Sequence, residues 1–168
     1  MPVPPVIPRA AGLLLRLAER LAFLPSLLTR LVIGQAFFLT GRGKLANFEN
    51  TVSFFSGLGI PMPELNAAFV SRLEYYGGML LIVGLLTRLV AALLGSTMIV
   101  ALMTADKEGF LNALRGIGEA GLTDVTPFVY GIFLLWLLLA GPGLLSLDTL
   151  LAKALGLKKE PEAAAASR

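Results

Sequence analysis

Apolar residues fall along this chain in long runs rather than in alternation, and short polar or Gly/Pro-rich breaks separate the runs. A helix needs roughly 20 residues to cross a hydrocarbon layer. Four stretches approach that length, over residues 25–44, 69–87, 89–105 and 126–145. The last is the clearest, apolar from Pro127 to Leu145, and only Thr87 and Arg88 separate the second from the third. That spacing predicts a tight antiparallel hairpin.

The segments outside these runs carry their own patterns. Four prolines make Met1–Pro8 an extended tail. From Arg9 to Leu24, at about 100° per residue, Leu13, Leu14, Leu17, Leu21 and Leu24 share one arc, and Arg9, Arg16, Glu19 and Arg20 lie opposite. This pattern predicts an amphipathic helix, either lying at a membrane surface or packed on the end of a bundle. A cleavable signal peptide fits the same residues poorly, because charges interrupt the apolar run and no small-residue cleavage site follows it. Between the first two runs, Phe48, Val52 and Phe55 recur at helical spacing before Gly57, Gly59, Pro61 and Pro63 break the pattern. A short interfacial or re-entrant helix is expected there. Asp106–Asp124 reads as a polar, glycine-rich loop, and the tail beyond Asp148 as one amphipathic stretch followed by a disordered end.

The expected organisation is therefore all-α: an integral membrane four-helix bundle over residues 25–148, preceded by an amphipathic segment over 1–24 and followed by a tail over 149–168. Composition agrees, since 56% of the 168 residues are hydrophobic, 15% are charged and the mean hydropathy is +0.79. Soluble domains carry about a quarter charged residues. Placement of the basic residues sets orientation. Arg9, Arg16, Arg20, Arg30, Arg88, Lys153, Lys158, Lys159 and Arg168 gather toward one side, and Arg42, Lys44, Arg72, Lys107 and Arg115 toward the other. The richer side is expected to be cytoplasmic in a prokaryotic plasma membrane, with both termini on it. The net charge of +3 is too mild to suggest nucleic acid. The chain has no cysteine and no histidine. That excludes disulfides, thiol chemistry, the usual zinc sites and histidine-ligated haem, so redox chemistry would need an organic cofactor or a partner.

Charges inside the apolar runs are costly and become site candidates. Arg30, Gly34, Phe37, Gly41 and Lys44 fall on one helical stripe, and Glu74, Gly77, Gly78, Leu81, Leu85 and Arg88 on another. Each stripe places its two charges about 21 Å apart. Antiparallel helices would then form two polar layers. The outer one joins Glu74 to Lys44 and Arg42, with Arg72 and Tyr75 nearby; the inner one joins Asp148 to Arg88 or Arg30. Either layer reads as a site or as a staple that fixes helix register. Tyr75 and Tyr76 also suit an aromatic belt, and Trp136 reads as packing or as a flat wall for an aromatic ligand.

The ordered set R-x3-G-x3-F-x2-G-x2-K (Arg30, Gly34, Phe38, Gly41, Lys44), E-x2-GG-x2-L-x2-GLLTR (Glu74 to Arg88) and GPGLLSLD (Gly141 to Asp148) resembles the DoxX family. The resemblance implies a four-helix integral membrane protein. It also implies kinship with the DoxD-type subunit of thiosulfate:quinone oxidoreductase and with accessory membrane components of redox or stress systems. Dithiol chemistry does not carry over to a chain without cysteine.

Three functions compete. In the first, the protein is a membrane subunit of a quinone-linked redox complex, with Glu74 or Tyr75 bonding a quinone and Lys44 or Arg42 stabilising negative charge. In the second, it carries a small anion through the outer layer, where Arg42, Lys44 and Arg72 outnumber Glu74. In the third, it assembles or anchors a membrane complex. Lipid surrounds it in each case, with a redox partner or a further copy of the chain as the expected company.

Overall fold

The computed structural model describes Arg16 and residues 21–156, and every regular element among them is helical. Helix α1 spans Leu24–Ala46, α2 Phe48–Gly57, α3 Pro63–Val83, α4 Thr87–Met103, α5 Lys107–Arg115, α6 Thr126–Ala140 and α7 Leu147–Ala154. A single 3-10 turn, Leu122–Asp124, precedes α6. The amphipathic helix expected over residues 9–24 lies for the most part outside the described residues, as does the end of the tail beyond 156.

Proline and glycine punctuate these helices as backbone sterics require. Pro25, Pro63 and Pro127 sit in the first turns of α1, α3 and α6, where a missing N–H costs nothing. Gly84 (φ 72°) ends α3 and Gly116 (φ 67°) ends α5, both left-handed. The turn between α3 and α4 is therefore Gly84–Leu86, not Thr87–Arg88 as the apolar pattern suggests. Hydropathy cannot see a backbone that turns left at a glycine inside an apolar run. As a consequence Arg88 belongs to α4, and the stripe starting at Glu74 ends at Leu81.

Two further expectations change. The run over 126–145 stays helical only to Ala140, because Gly141 (φ 83°) and Pro142 stop it. The segment expected as a polar loop over Asp106–Asp124 contains α5, bent 79° from α4. Its sequence, KEGFLNALR, is amphipathic and too polar for an apolar-run reading to find. The short helix after α1 is present as α2, separated from α1 by Asn47 alone.

α1 packs along α3, α4 along α6, and α2 lies against α3. Ile33, Phe37, Leu81, Val90, Ala91, Leu94, Met98, Leu134 and Leu137 form the core where α1, α3, α4 and α6 meet. The surface is apolar as well. Leu28, Val32, Phe69, Val83, Leu89, Ile99, Leu135 and Leu139 are all exposed, whereas the fully buried side chains include Arg30, Ser71, Glu74 and Thr87. Exposed apolar area on this scale marks a surface meant for something other than water. Among the described residues, by length and hydropathy together, α1 alone is long and apolar enough to cross a membrane; α4 with α5 makes a second if the bent pair is one span, and α6 is apolar but shorter.

Two glycines set the α1–α3 contact. A Cβ on Gly41 would fall 2.7 Å from Tyr75 Cα and 2.8 Å from the Glu74 carbonyl carbon. A Cβ on Gly78 would fall 2.6 Å from the Gly34 carbonyl oxygen and 2.9 Å from Phe38 Cα. The backbones touch there, as small residues permit between apolar helices.

A candidate polar site between three helices

The close approach at Gly41 brings Lys44, one turn further along α1, against Glu74 of α3. Lys44 Nζ lies 2.5 Å from Glu74 Oε1, the only salt bridge among the described residues. Exposure of the two side chains differs sharply, 33% for Lys44 against 2% for Glu74. Glu74 Oε2 is buried and has no hydrogen-bond partner among the described residues. One carboxylate oxygen is thus paired with the Lys44 ammonium and the other is buried without a partner. An orphaned buried oxygen of this kind is costly unless something bonds it.

Glu74 is also among the residues that line a cavity of about 230 Å³ between α2, α3 and the end of α4. Phe54, Phe55, Phe69, Val70 and Met98 give it an apolar lining, and Lys44, Glu74, Asn66, Ser96, Thr97 and Thr104 are its polar residues. A second, open cleft on the other side of Lys44 is lined by Thr40, Asn47, Asn50, Thr51 and Phe54. Lys44 borders both spaces.

The other residues expected in the outer layer stand apart from this pair. Arg42 is exposed, its guanidinium 5.9 Å from the centroid of the Phe38 ring. Arg72 is exposed and donates to the Ala68 carbonyl at 3.0 Å. Tyr75 stacks on Phe38 at 5.0 Å and meets Tyr76 edge-on at 5.1 Å. The helical turn explains the split: Arg42 and Lys44 are two positions apart and cannot share a face, nor can Arg72 and Glu74. Sequence reading also overlooked Ser71, which is fully buried with its hydroxyl unpartnered among the described residues one turn before Glu74. A spacing of three from Glu74 was the available signal.

The inner layer is built differently from the expected ion pair. Among the described residues Asp148 pairs with neither Arg30 nor Arg88. Its carboxylate instead accepts from Leu86 N at 2.7 Å and Thr87 N at 2.9 Å, capping the start of α4, while its own N–H donates to the Gly84 carbonyl at 2.9 Å. Arg30, 1% exposed, donates to the Leu145 carbonyl, and Arg88 donates to the Leu139 carbonyl at 3.2 Å near the end of α6. Backbone groups, at helix ends for Asp148 and Arg88 and in the α6–α7 loop for Arg30, took the charges that a side-chain-only reading paired together. Asp148→Asn is expected to lower stability by about 1–2 kcal/mol, since a charged acceptor for two backbone donors becomes neutral. Thermal unfolding in detergent checks it, and an unchanged midpoint would show that the cap contributes nothing. Trp136, expected to pack inside the bundle or to wall a ligand, is half-exposed on α6 and borders an inner-end cavity with Arg88 and Asp148.

Comparison with known proteins places these positions in a family. The DoxX family model matches residues 26–107, a stretch that holds Arg30, Lys44, Glu74 and Arg88. The chain is 37% identical over 79 residues to a Bacillus subtilis (strain 168) protein named "Putative oxidoreductase CatD", a match covering 47% of this chain and 58% of that protein. It therefore spans under two thirds of that relative. It is 32% identical over 132 residues to inner membrane protein YphA of Escherichia coli (strain K12), covering 73% of this chain and 86% of the relative. Uncharacterized membrane protein Rv3486 of Mycobacterium tuberculosis (strain ATCC 25618 / H37Rv) is likewise 32% identical over 132 residues, covering 74% and 79%. No solved structure matches the chain. The motifs, the relatives and their coverage agree, and the chain belongs to the DoxX family of membrane proteins.

Proposed function

We propose that this protein is a multi-pass subunit or accessory component of a quinone-linked redox system in a bacterial plasma membrane, and that the cavity beside Glu74 receives the quinone ring. The orphaned Oε2 of Glu74 in an apolar wall carries the reading. In this reading α1, α3, α4 and α6 are the four spans, with both chain ends cytoplasmic by the distribution of arginine and lysine. α3 falls short of the hydropathy expected of a span because it carries Glu64, Arg72 and Glu74, the last of them turned inward. α6, at 15 residues, covers about 22 Å, and its flanking Leu122–Asp124 and Gly141–Ser146 segments complete the crossing.

The residues fit such a ligand. A dry cavity of about 150 Å³ admits benzene, so about 230 Å³ accommodates one substituted ring. Phe55, Phe69 and Met98 offer apolar and aromatic contact, Glu74 Oε2 accepts from a ring hydroxyl, and Lys44 donates to a ring oxygen. When bound, a quinone supplies the two-electron, two-proton couple that the side chains lack. Glu74 holds or accepts a proton at the ring oxygen, and the apolar lining of Phe55, Val70 and Met98 disfavours water there. Electrons would pass to or from a partner protein. The name of the Bacillus subtilis relative favours this reading. Because Arg42 and Arg72 turn away from Glu74, the surplus positive charge that an anion carrier would use is missing from the site.

A photoreactive short-chain quinone analogue, cross-linked to the protein in lipid nanodiscs, tests the proposal. The adducts are expected on Phe55, Phe69 or Met98. Glu74→Gln is expected to weaken binding about tenfold, the equivalent of losing about 1.4 kcal/mol from a charge-assisted hydrogen bond. Adducts confined to the lipid-facing surface, with equal affinity for the variant, would remove the site from consideration.

A further inference from the structure

Lys44 is the charged residue that borders both the apolar cavity and the open cleft, and its ammonium bonds the buried carboxylate of Glu74. We infer that Lys44 connects Glu74 to the aqueous phase on one side of the membrane only, so that protons enter and leave the site through the cleft lined by Thr40, Asn47, Asn50 and Thr51. The choice of side rests on where the cleft opens. It lies at the junction of α1 and α2, where Asn47 and Asn50 are exposed. The opposite end of the bundle is closed toward Glu74 by Phe37, Leu81, Val90 and Leu94, all almost fully buried. Under the orientation proposed above, this is the outer side.

The charged and titratable groups around Glu74 leave Lys44 as the connection. On α1 these are Lys44 and Arg42, and Arg42 turns out over Phe38. On α2 there is Glu49, exposed and outside the lining of the cleft. On α3 there are Arg72, bonded to its own helix, and Tyr75 and Tyr76, which pack on one another. The α4 residues that line the cavity, Ser96, Thr97, Met98, Val100, Ala101 and Thr104, carry no charge. The proton count closes without a further reactant. Glu74 takes a proton from a ligand hydroxyl, the Lys44 ammonium releases one to water in the cleft, and the resulting amine takes the proton from Glu74. Run backwards, the same steps load the site. The inference builds on the ligand reading above, but its test contains no quinone.

A lipid-soluble carbodiimide modifies carboxyl groups in their protonated form and can enter the apolar cavity that Glu74 lines. Vesicles holding the protein are given separately buffered compartments, and Glu74 modification is followed by peptide mass spectrometry. The compartment that the cleft faces is identified in the same vesicles by reacting an Asn50→Cys variant with a charged thiol reagent; the native chain has no cysteine to interfere. Lowering the pH of that compartment by about two units is expected to raise the modification rate several-fold, and the same change in the other compartment to leave it alone. Asn50→Trp, which narrows the cleft from the α2 side, is expected to slow this response. A rate that follows the opposite compartment, or neither, overturns the inference. If the quinone analogue fails to bind and Glu74 still follows the cleft side, the proton connection stands and the ligand assignment falls.

Discussion

Gly41→Ala is expected to lower the stability of this protein by about 3 kcal/mol or more, the upper part of the range for forcing extra atoms into a packed interface. The added methyl would meet Tyr75 Cα at 2.7 Å and the Glu74 carbonyl carbon at 2.8 Å, where carbon atoms attract at about 3.5–4.0 Å. The obstacle is backbone, so no rotamer change relieves it; α1 and α3 must move apart along their whole contact. Separation would also stretch the Lys44–Glu74 bond, because Lys44 sits one turn from Gly41 on the same face. Gly78→Ala acts on the same interface from the other helix, and the double variant is expected to cost less than the sum, since the first separation already makes room for the second. Gly43→Ala is the control. Its Cβ would meet nothing within 4 Å, and alanine is favoured over glycine in a helix by about 1 kcal/mol. Thermal unfolding of the three single variants in one detergent distinguishes them. Equal midpoints for Gly41→Ala and Gly43→Ala would show that the helices do not touch as described.

Lys44→Met is expected to be more damaging than Glu74→Gln, although both break the same ion pair. Losing the ammonium leaves an unpaired carboxylate that is 2% exposed, and stranding a buried charge costs about 3–5 kcal/mol. Losing the carboxylate leaves a lysine whose side chain is 33% exposed, free to turn its head into the open cleft and the water beyond. That loss should stay near 1 kcal/mol. The double variant Lys44→Met with Glu74→Gln is expected to recover most of the stability, because no ion remains to be desolvated. A double-mutant cycle on unfolding free energy measures the asymmetry and the coupling together. If Glu74→Gln proved the more destabilising, Lys44 would be the desolvated partner and the burial described above would be wrong.

Much of this architecture can be read from the chain without coordinates. The stripe of Arg30, Gly34, Phe37, Gly41 and Lys44 needs only 3.6-residue periodicity, and its first four members are buried in α1 as that periodicity requires. The partnership of Lys44 with Glu74 also follows from depth, given two antiparallel helices and one acid in an apolar run. Helix boundaries were less accessible. The α3–α4 turn depends on a left-handed Gly84 and on Leu86, held at φ 52° beside the Asp148 cap. The Asp148 contact comes from a residue some sixty positions away, and a local window contains no trace of it.

What the sequence determined by itself is the solvent, most of the helices and the likeness to DoxX proteins. Each depends on composition, periodicity or motif order, which are properties of the chain read one turn at a time. Tertiary structure decided which charges meet. Arg42 and Arg72 have the right sign and nearly the right depth, yet helix rotation turns them outward and leaves Lys44 alone on Glu74. Arg30, Arg88 and Asp148 share one end of the bundle, yet backbone groups at helix ends and in the α6–α7 loop bind them before they bind one another. The cavity beside Glu74 likewise exists only once α2 folds back on α3 and the end of α4 closes over both. Side-chain pairing across helices is fixed by azimuth, which the two-residue spacing of Arg42 from Lys44 already carries, and by competition with unpaired backbone groups, which the spacing of charges along a chain does not record.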